Sequence, residues 1–581
     1  MLLQRLSEYA DRLGLPPALY SETPIRYVIE LADDGSFLGI TDTADASDRA
    51  TKRGVRRLAP EVQRSSAVKP LLLADKADYV LGLPKEETEA SVKRAADCHA
   101  AFLKLLTRCV EATDEPSVRA VSTFLDNDPI ARVTLPDDFD PGAKITFRVG
   151  EGMPIDLLSV QAFWAGENEP SEDLMQCVVC GEVRPVTRRL QAKIKGIPGG
   201  QTAGTSIISA NSDAFQSYGL EASLVAPTCG DCGERFTKAL NSLLSDRAHS
   251  YRIGGQVFAY WTRSPDEGFS ILELLTKPTA DDVRALLTSA SKGRPPADID
   301  VNVFYAATFS ASGGRAVVRD WIETALEDAK RGIAHWFDRL CVVGPDGGPG
   351  EPLGLYALAK ATVADSDEPS PPTTRALLRS ALVGSLLPFA LLQDAVRRNR
   401  AEQRVTRPRV ALIKAVLAGR RNWKEERMVE LEAGNRDPGY LCGRLLAVLE
   451  EIQRGAIPGA KATITDRFFG TASSAPASVF GRLVRGAQPH LAKLNRDRRG
   501  AYVALQKRME EILSQLDGFP KVLTLEGQGL FALGYYHQRA SDRAQAARNV
   551  SEKKAKRSVE TEMDAAEQGA YESMLVVEEE E

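Results

Sequence analysis

The sequence predicts an α+β N-terminal region that carries a cysteine-knuckle insert, followed by an all-α C-terminal helical bundle. Three observations predict this class. Short alternating apolar runs, broken by turn residues, interleave with helical-period stretches up to residue 363. Two Cys-x2-Cys pairs, at 177/180 and 229/232, bracket a basic, Gly-rich stretch. After "ADSDEPSPPTT", a Pro/Ser-rich acidic break at 364–374, helical periodicity is nearly continuous to about residue 540. The expected organisation is an N-terminal α/β region (1–165), a knuckle and Gly-rich insert (166–250) and the remainder of the α/β domain (251–363). A linker (364–374), a basic helical bundle (375–540) and an acidic tail (541–581), disordered or a frayed helix, complete it.

A length of 581 residues fits two to four domains, and 43% apolar with 26% charged residues is ordinary for a soluble globular chain. "MLLQRLSEYADRLG" is a charged amphipathic helix without the apolar core of a secretory signal. "IRYVIELADDGSFLGITD" (25–42) reads as a β-hairpin about an Asp-Asp-Gly turn, and "LLLADKADYVLGL" (71–83) as another strand pair. "EETEASVKRAADCHAAFLKLLTRCVEA" (86–112) is a long helix with an acidic start. Strands return in "QVFAYWTR" (256–263) and "DIDVNVFYAATF" (298–309), and "GGRAVVRDWIETALEDAKRGIAHWFDRL" (313–340) reads as helical. "RALLRSALVGSLLPFALLQDAVRRNR" and "YLCGRLLAVLEEIQRGA" are bundle helices separated by Pro/Gly breaks. The longest apolar run, "ALVGSLLPFALL", has 12 residues, short of the ~20 a spanning helix needs, so a cytoplasmic protein without membrane contact is expected.

The net charge of −5 hides an asymmetry, because residues 375–510 hold 26 Lys/Arg against 12 Asp/Glu. An isolated charge run reads as a solvated helix face. This excess spans five or more helices, with foci at "VRRNRAEQRVTRPR" and "KLNRDRRG", and reads as a surface for a polyanion.

In a reducing compartment the cysteines favour metal or burial over disulfides. Cys177, Cys180, Cys229 and Cys232 are two knuckles whose four thiolates close a tetrahedral Zn2+ site, with Gly181 and Gly233 supplying the tight turns behind them. Such a site has no open position, so the zinc is structural. The 48 residues between the pairs form a folded excursion tied at its base. A redox pair fits less well, because neither motif opens a βαβ unit; core cysteines without metal remain the alternative. Cys98, Cys109, Cys341 and Cys442 are expected in the core.

"GGQTAGTS" (199–206) is one residue from a phosphate-binding P-loop, with Thr205 where the lysine belongs, so NTPase activity is not expected. What remains is a loop of exposed amides and hydroxyls flanked by Arg188, Arg189, Lys193 and Lys195. A plain Gly/Ser-rich surface loop explains it equally well. The five histidines (His99, His249, His335, His490, His537) are scattered, and neither clustered carboxylates nor a nucleophile elbow is present. A binding protein rather than an enzyme is expected.

"IKGIPGGQTAGTSIISANSDAFQSYG" resembles the hallmark segment of the type I-C CRISPR large subunit of the Cascade surveillance complex. "LLQRLSEYADRLG", "RSSAVKPLLLADKADYVLG", "VRDWIE", "RALLRSALVGSLLPFALLQDAVRR", "RVALIKAVL", "NRDPGYLCGRLLAVLEEIQ" and "FALGYYHQR" are similar to the same family in order, from residue 1 to about 540. The resemblance implies a subunit beside the 5′ handle of the CRISPR RNA, among the Cascade backbone and 5′-handle subunits. It implies an N-terminal part that recognises the PAM in double-stranded DNA and promotes R-loop formation. A helical bundle lines the R-loop path, and a separate helicase–nuclease is recruited. Guide pairing then reads most of the target sequence.

On that resemblance Gln201, Thr202, Ser206 and Asn211 are expected PAM contacts. Arg188, Arg189, Lys193 and Lys195, with Arg64 and Lys69, are expected phosphate contacts. Arg397, Arg398, Arg404, Arg407 and Arg409 are expected single-strand contacts. The family also makes its bundle separately as a small subunit, and Met428, just before "VELEAGNRDPGYLCGRLLAVLEEIQ", is the expected internal start. The rival readings are a structural RNA–protein scaffold without DNA reading and a stand-alone zinc-dependent nucleic-acid enzyme.

Overall fold

The hairpin expected at 25–42 is built as the pattern requires, and it seeds the first of two units. The computed structural model describes every residue except 18, 46, 49–50, 63, 65–67, 127–128, 130–132, 169–172, 266–269, 291–301, 425–426 and 579–581. One unit comprises Met1–Arg247 with Phe309–Arg319, the other Ala248–Thr308 with Asp320–Glu581. Residues 298–301 of an expected strand lie outside the described residues.

The first unit opens with α1 (Leu2–Ala10). Strand β1 (Tyr20–Ile25) is followed by β2 (Tyr27–Leu31), β3 (Phe37–Asp42), β4 (Val55–Pro60), β5 (Ala74–Lys76) and, later, β6 (Lys144–Val149). A four-stranded sheet runs β3-β2-β6-β5; β2 is antiparallel to β3 and parallel to β6, while β1 pairs with β4 alone. Helices α2 (Ala77–Val80), α3 (Glu89–Thr113), α4 (Pro116–Leu125) and α5 (Leu158–Glu167) supply the rest of its core, around Phe102, Phe124, Phe147 and Trp164. The Thr88 hydroxyl caps α3 by accepting from the Ser91 amide, and Asp114 ends the helix at φ 53°.

Residues 71–83 are one short strand and a helical turn, not a strand pair. Leu73 turns the chain at φ 57°. Buried Asp75 fixes that turn by accepting from the Leu71 amide at 2.8 Å and from Arg64. Beyond α5, β7 (Leu174–Gln176) and β8 (Val183–Pro185) form a small hairpin, and α6 (Gly230–Ser245) closes the N-terminal stretch of the unit.

The second unit begins with β9 (Ser250–Ile253), β10 (Gln256–Thr262), α7 (Ile271–Thr276) and α8 (Ala280–Ala290). Strands β11 (Val303–Ser312) and β12 (Arg315–Ala325) complete a sheet of order β12-β11-β10-β9. Residues 315–325 are therefore a strand where a helix was expected. Gly313 and Gly314 make the two-residue turn, Gly313 at φ 59°, and β-branched Val317, Val318, Ile322 and Thr324 suit the pleated partner. The helix starts only at Leu326.

Helices α9 (Leu326–Leu340), α10 (Leu355–Lys360), α11 (Pro371–Val383), α12 (Phe389–Glu402) and α13 (Arg407–Arg421) surround one apolar core. Helices α14 (Pro438–Ala456), α15 (Ile464–Ala472), α16 (Phe480–Asp497), α17 (Arg499–Leu513) and α18 (Leu525–Glu578) build another, from Leu441 to Tyr535. Of the expected linker, 364–370 are turns and irregular backbone and 371–374 open α11: Ser370 caps it and Pro371 takes the first turn, where its missing amide costs nothing. The expected tail, read as disordered or a frayed helix, continues α18 as far as Glu578. Helices α14 and α18 cross at glycines, since a Cβ on Gly443 would meet the Phe531 carbonyl oxygen at 2.0 Å. No helix among the described residues is long and apolar enough to cross a membrane.

Candidate metal centre and nucleic-acid surface

Strands β7 and β8 present Cys177 and Cys180 on their connecting turn. The Cys177 amide donates to the Glu182 carbonyl at 2.8 Å, and Gly181, at φ 79°, donates to the Cys177 carbonyl at 2.9 Å. Cys229 is the N-cap of α6 and Cys232 lies in its first turn. The Val178 amide donates to the Pro227 carbonyl at 2.9 Å and Thr187 to Thr228 at 3.1 Å, joining the knuckles. All four sulfurs lie within 4.8 Å of one another. Tetrahedral Zn–S bonds of ~2.3 Å place sulfurs about 3.8 Å apart, so the cluster fits a structural ion with little movement.

The electrostatics agree with that fit. Burial raises the Cys177 thiol, but amides of Cys180, Cys229 and Val179 outweigh it and bring the pKa down to about 7. Cys229 is raised by burial, and Cys232 is raised by burial and then by Cys229 and Cys177. Four crowded sulfurs oppose one another's ionisation, and a divalent cation is the natural remedy. Of the cysteines expected in the core, Cys98, Cys109 and Cys442 are buried, whereas Cys341 is exposed where α9 ends.

The knuckles hold the base of an excursion that closes on itself. Ile194 and Thr205 exchange amide hydrogen bonds at 2.8 Å each, and Gly204 turns between them at φ 99°. Thr205, at the P-loop lysine position, is buried with its hydroxyl on the Ile194 carbonyl. The loop is therefore a closed turn and not a phosphate cradle. Gln201 and Thr202 are exposed at its tip. Ser206 is buried instead: its amide donates to Gly314 at 2.8 Å, Ala316 donates back at 2.9 Å, and Lys193 donates to its hydroxyl. Asn211 is exposed and accepts from Arg315, whose guanidinium lies 3.9 Å from the centre of the Phe215 ring. Arg315 and Phe215 escaped the sequence reading, because the β11–β12 turn that presents Arg315 was taken as helix.

The expected phosphate contacts divide. Arg189 and Lys195 are exposed, and Arg188 is exposed but paired with Asp173 at 2.9 Å. Lys193 is half-buried, its pKa lowered by burial and then by Arg189. Arg64 is committed to buried Asp75 and lies 4.4 Å from the Tyr79 ring centre, and Lys69 is half-buried.

The expected strand contacts divide as well. Arg397 is exposed beside Asp394, Arg398 pairs with Glu402, and Arg404 is exposed. Arg407 turns inward to backbone carbonyls, while Arg409 is 4% exposed and pairs with Glu402 at 2.6 Å. They open a helix that is buried on nearly every side from Arg409 to Ala418. Met428 is fully buried at φ 60° in the segment between α13 and α14.

The family described as CRISPR-associated protein (Cas_Csd1) matches residues 3–542, a span that takes in the cysteine-bearing excursion and most of the largely helical second unit, and places the chain in the class of CRISPR-associated proteins. The chain belongs to the Cas_Csd1 family. No curated protein matches it.

Proposed function

We propose that this chain is the large subunit of a type I-C Cascade complex, a cytoplasmic, non-enzymatic subunit that recognises the PAM in double-stranded DNA. It promotes R-loop formation by the CRISPR RNA and recruits the helicase–nuclease. The family match over residues 3–542 carries the reading. The excursion supports it: Gln201 and Thr202 at one tip and the Asn211–Arg315 pair offer amide and guanidinium groups suited to base edges. Exposed Arg189 and Lys195 on the same insert suit phosphates. Zinc held by Cys177, Cys180, Cys229 and Cys232 fixes the insert's base. The test is binding of short duplexes, with and without candidate PAMs, by the guide-loaded complex. Gln201→Ala and Asn211→Ala should each cost about 1–3 kcal/mol and relax preference at one PAM position.

A separate small subunit beginning at Met428 retains every residue of the buried Leu441–Tyr535 cluster. It leaves behind most of the other core, including Trp336, Leu392 and Ile413. Mass spectrometry of the purified complex should find this product, and Met428→Leu should abolish it.

A further inference from the structure

In the second unit the end of α12, the start of α13, and faces of α14, α15 and α18 enclose a cavity of about 490 Å3, within the range of small-ligand sites. Arg404, Arg407, Arg454, Arg539 and Arg543 line it. Its buried acid, Glu450, is 2% exposed. The carboxylate accepts from Tyr535 at 2.6 Å, Arg454 at 2.9 Å, Arg539 at 3.1 Å and Thr463 at 3.1 Å. One negative charge therefore serves two guanidiniums. Glu402 is occupied by Arg398 and Arg409, and Asp466 accepts from the Thr463 amide at 2.6 Å.

Arg404 and Arg543 form no ion pair among the described residues, Arg407 feels only the more distant Glu351 carboxylate, and Asp466 is the one further negative charge on the wall. Arg407 donates to the carbonyls of Val342 and Glu351, and Arg543 to that of Pro345 at 2.9 Å. A carbonyl accepts a hydrogen bond without neutralising the cation, and burial draws the Arg407 pKa below its usual value. Helix α13 begins at the wall with Thr406 as N-cap and adds its positive end to the field, whereas the start of α15 is already met by the Asp466 carboxylate. Thr465, 5% exposed, lines the same cavity with its hydroxyl beside the Tyr535 phenol, a further polar group for a ligand oxygen entering here.

We propose that this cavity receives one phosphate-bearing nucleotide unit. The shared chemistry is a nucleotide phosphate, whether in a single strand or in a free mononucleotide. The choice of nucleotide over other anions rests on the nucleic-acid function proposed above. It moves the centre of the strand contacts from α12 to Arg404, Arg454, Arg539 and Arg543, residues separated widely in sequence and joined by packing.

The test uses the full chain, labelled oligo(dT) followed by anisotropy, and dTMP followed by calorimetry. Arg404→Gln with Arg543→Gln should weaken binding roughly tenfold, the worth of a lost charge-assisted hydrogen bond or two. Thr465→Val, nearly isosteric, should weaken it with unchanged melting. Arg284→Gln, on the exposed surface of α8, controls for general charge loss and should cost less than about twofold. Cavity-dependent binding of dTMP identifies a free nucleotide as occupant; cavity-dependent binding of oligo(dT) alone identifies the strand. The inference is overturned if Arg284→Gln costs as much as the cavity pair, or if neither probe responds to the cavity variants. Retained PAM discrimination in that case refutes the cavity and leaves the proposed function standing.

Discussion

Cys177 and Cys229 each accept or donate within the knuckle junction, so the residue scale already carries the insert's design: amides aimed at a sulfur, and sulfurs within 4.8 Å. Cys177→Ser with Cys229→Ser should abolish stoichiometric zinc in elemental analysis and loosen residues 187–228 in hydrogen exchange. Another single residue sets a pH response. His537 is fully buried, its pKa lowered to about 3 by burial and then by the Lys414 charge. It stays neutral in the fold but takes a proton near pH 6.5 when unfolded. Its contribution is therefore complete above about pH 6.5 and is lost progressively as pH falls toward 3. Melting temperature against pH should fall across that window, and His537→Phe should flatten the fall. The sequence showed the four cysteines by their spacing, but not which polar residues point inward. Ser206, Arg64 and Arg409 are the expected contacts that burial removed from the surface or tied to a carboxylate.

Among elements, the β11–β12 hairpin was the least legible. "RAVVRDWIETA" runs without a break into the helix at Leu326, and its alternation was overridden by the helical pattern that follows. The Gly313-Gly314 turn was the available signal. The N-terminal hairpin and the long α3 were legible because one period held throughout and turn or cap residues stood at the ends. The glycines of the insert act at this scale too. Gly204 sits at φ 99°, and a Cβ there would meet Lys193 Cβ at 2.7 Å. Gly204→Ala should destabilise the closed turn by about 1–3 kcal/mol, raising protease sensitivity within 194–205 while the rest of the chain melts as before.

For the molecule as a whole, charge and periodicity located the basic helical part, while its division into two cores depended on packing no local pattern records. Gly443 and Gly534 bring α14 and α18 together, with apolar clusters on both sides. The Arg-lined cavity was equally hidden, since Arg404 and Arg543 meet only in the fold. The family assignment needed neither detail, because its ordered motifs run through both units. The most direct measurement of the proposed function is duplex binding by the guide-loaded complex, comparing PAM-containing with PAM-free targets for the native chain and for Gln201→Ala with Asn211→Ala. The account predicts preference for one PAM in the native complex and a loss of about tenfold or more of that preference in the variant. Equal binding of both duplexes by the native complex, or undiminished preference in the variant, would contradict it.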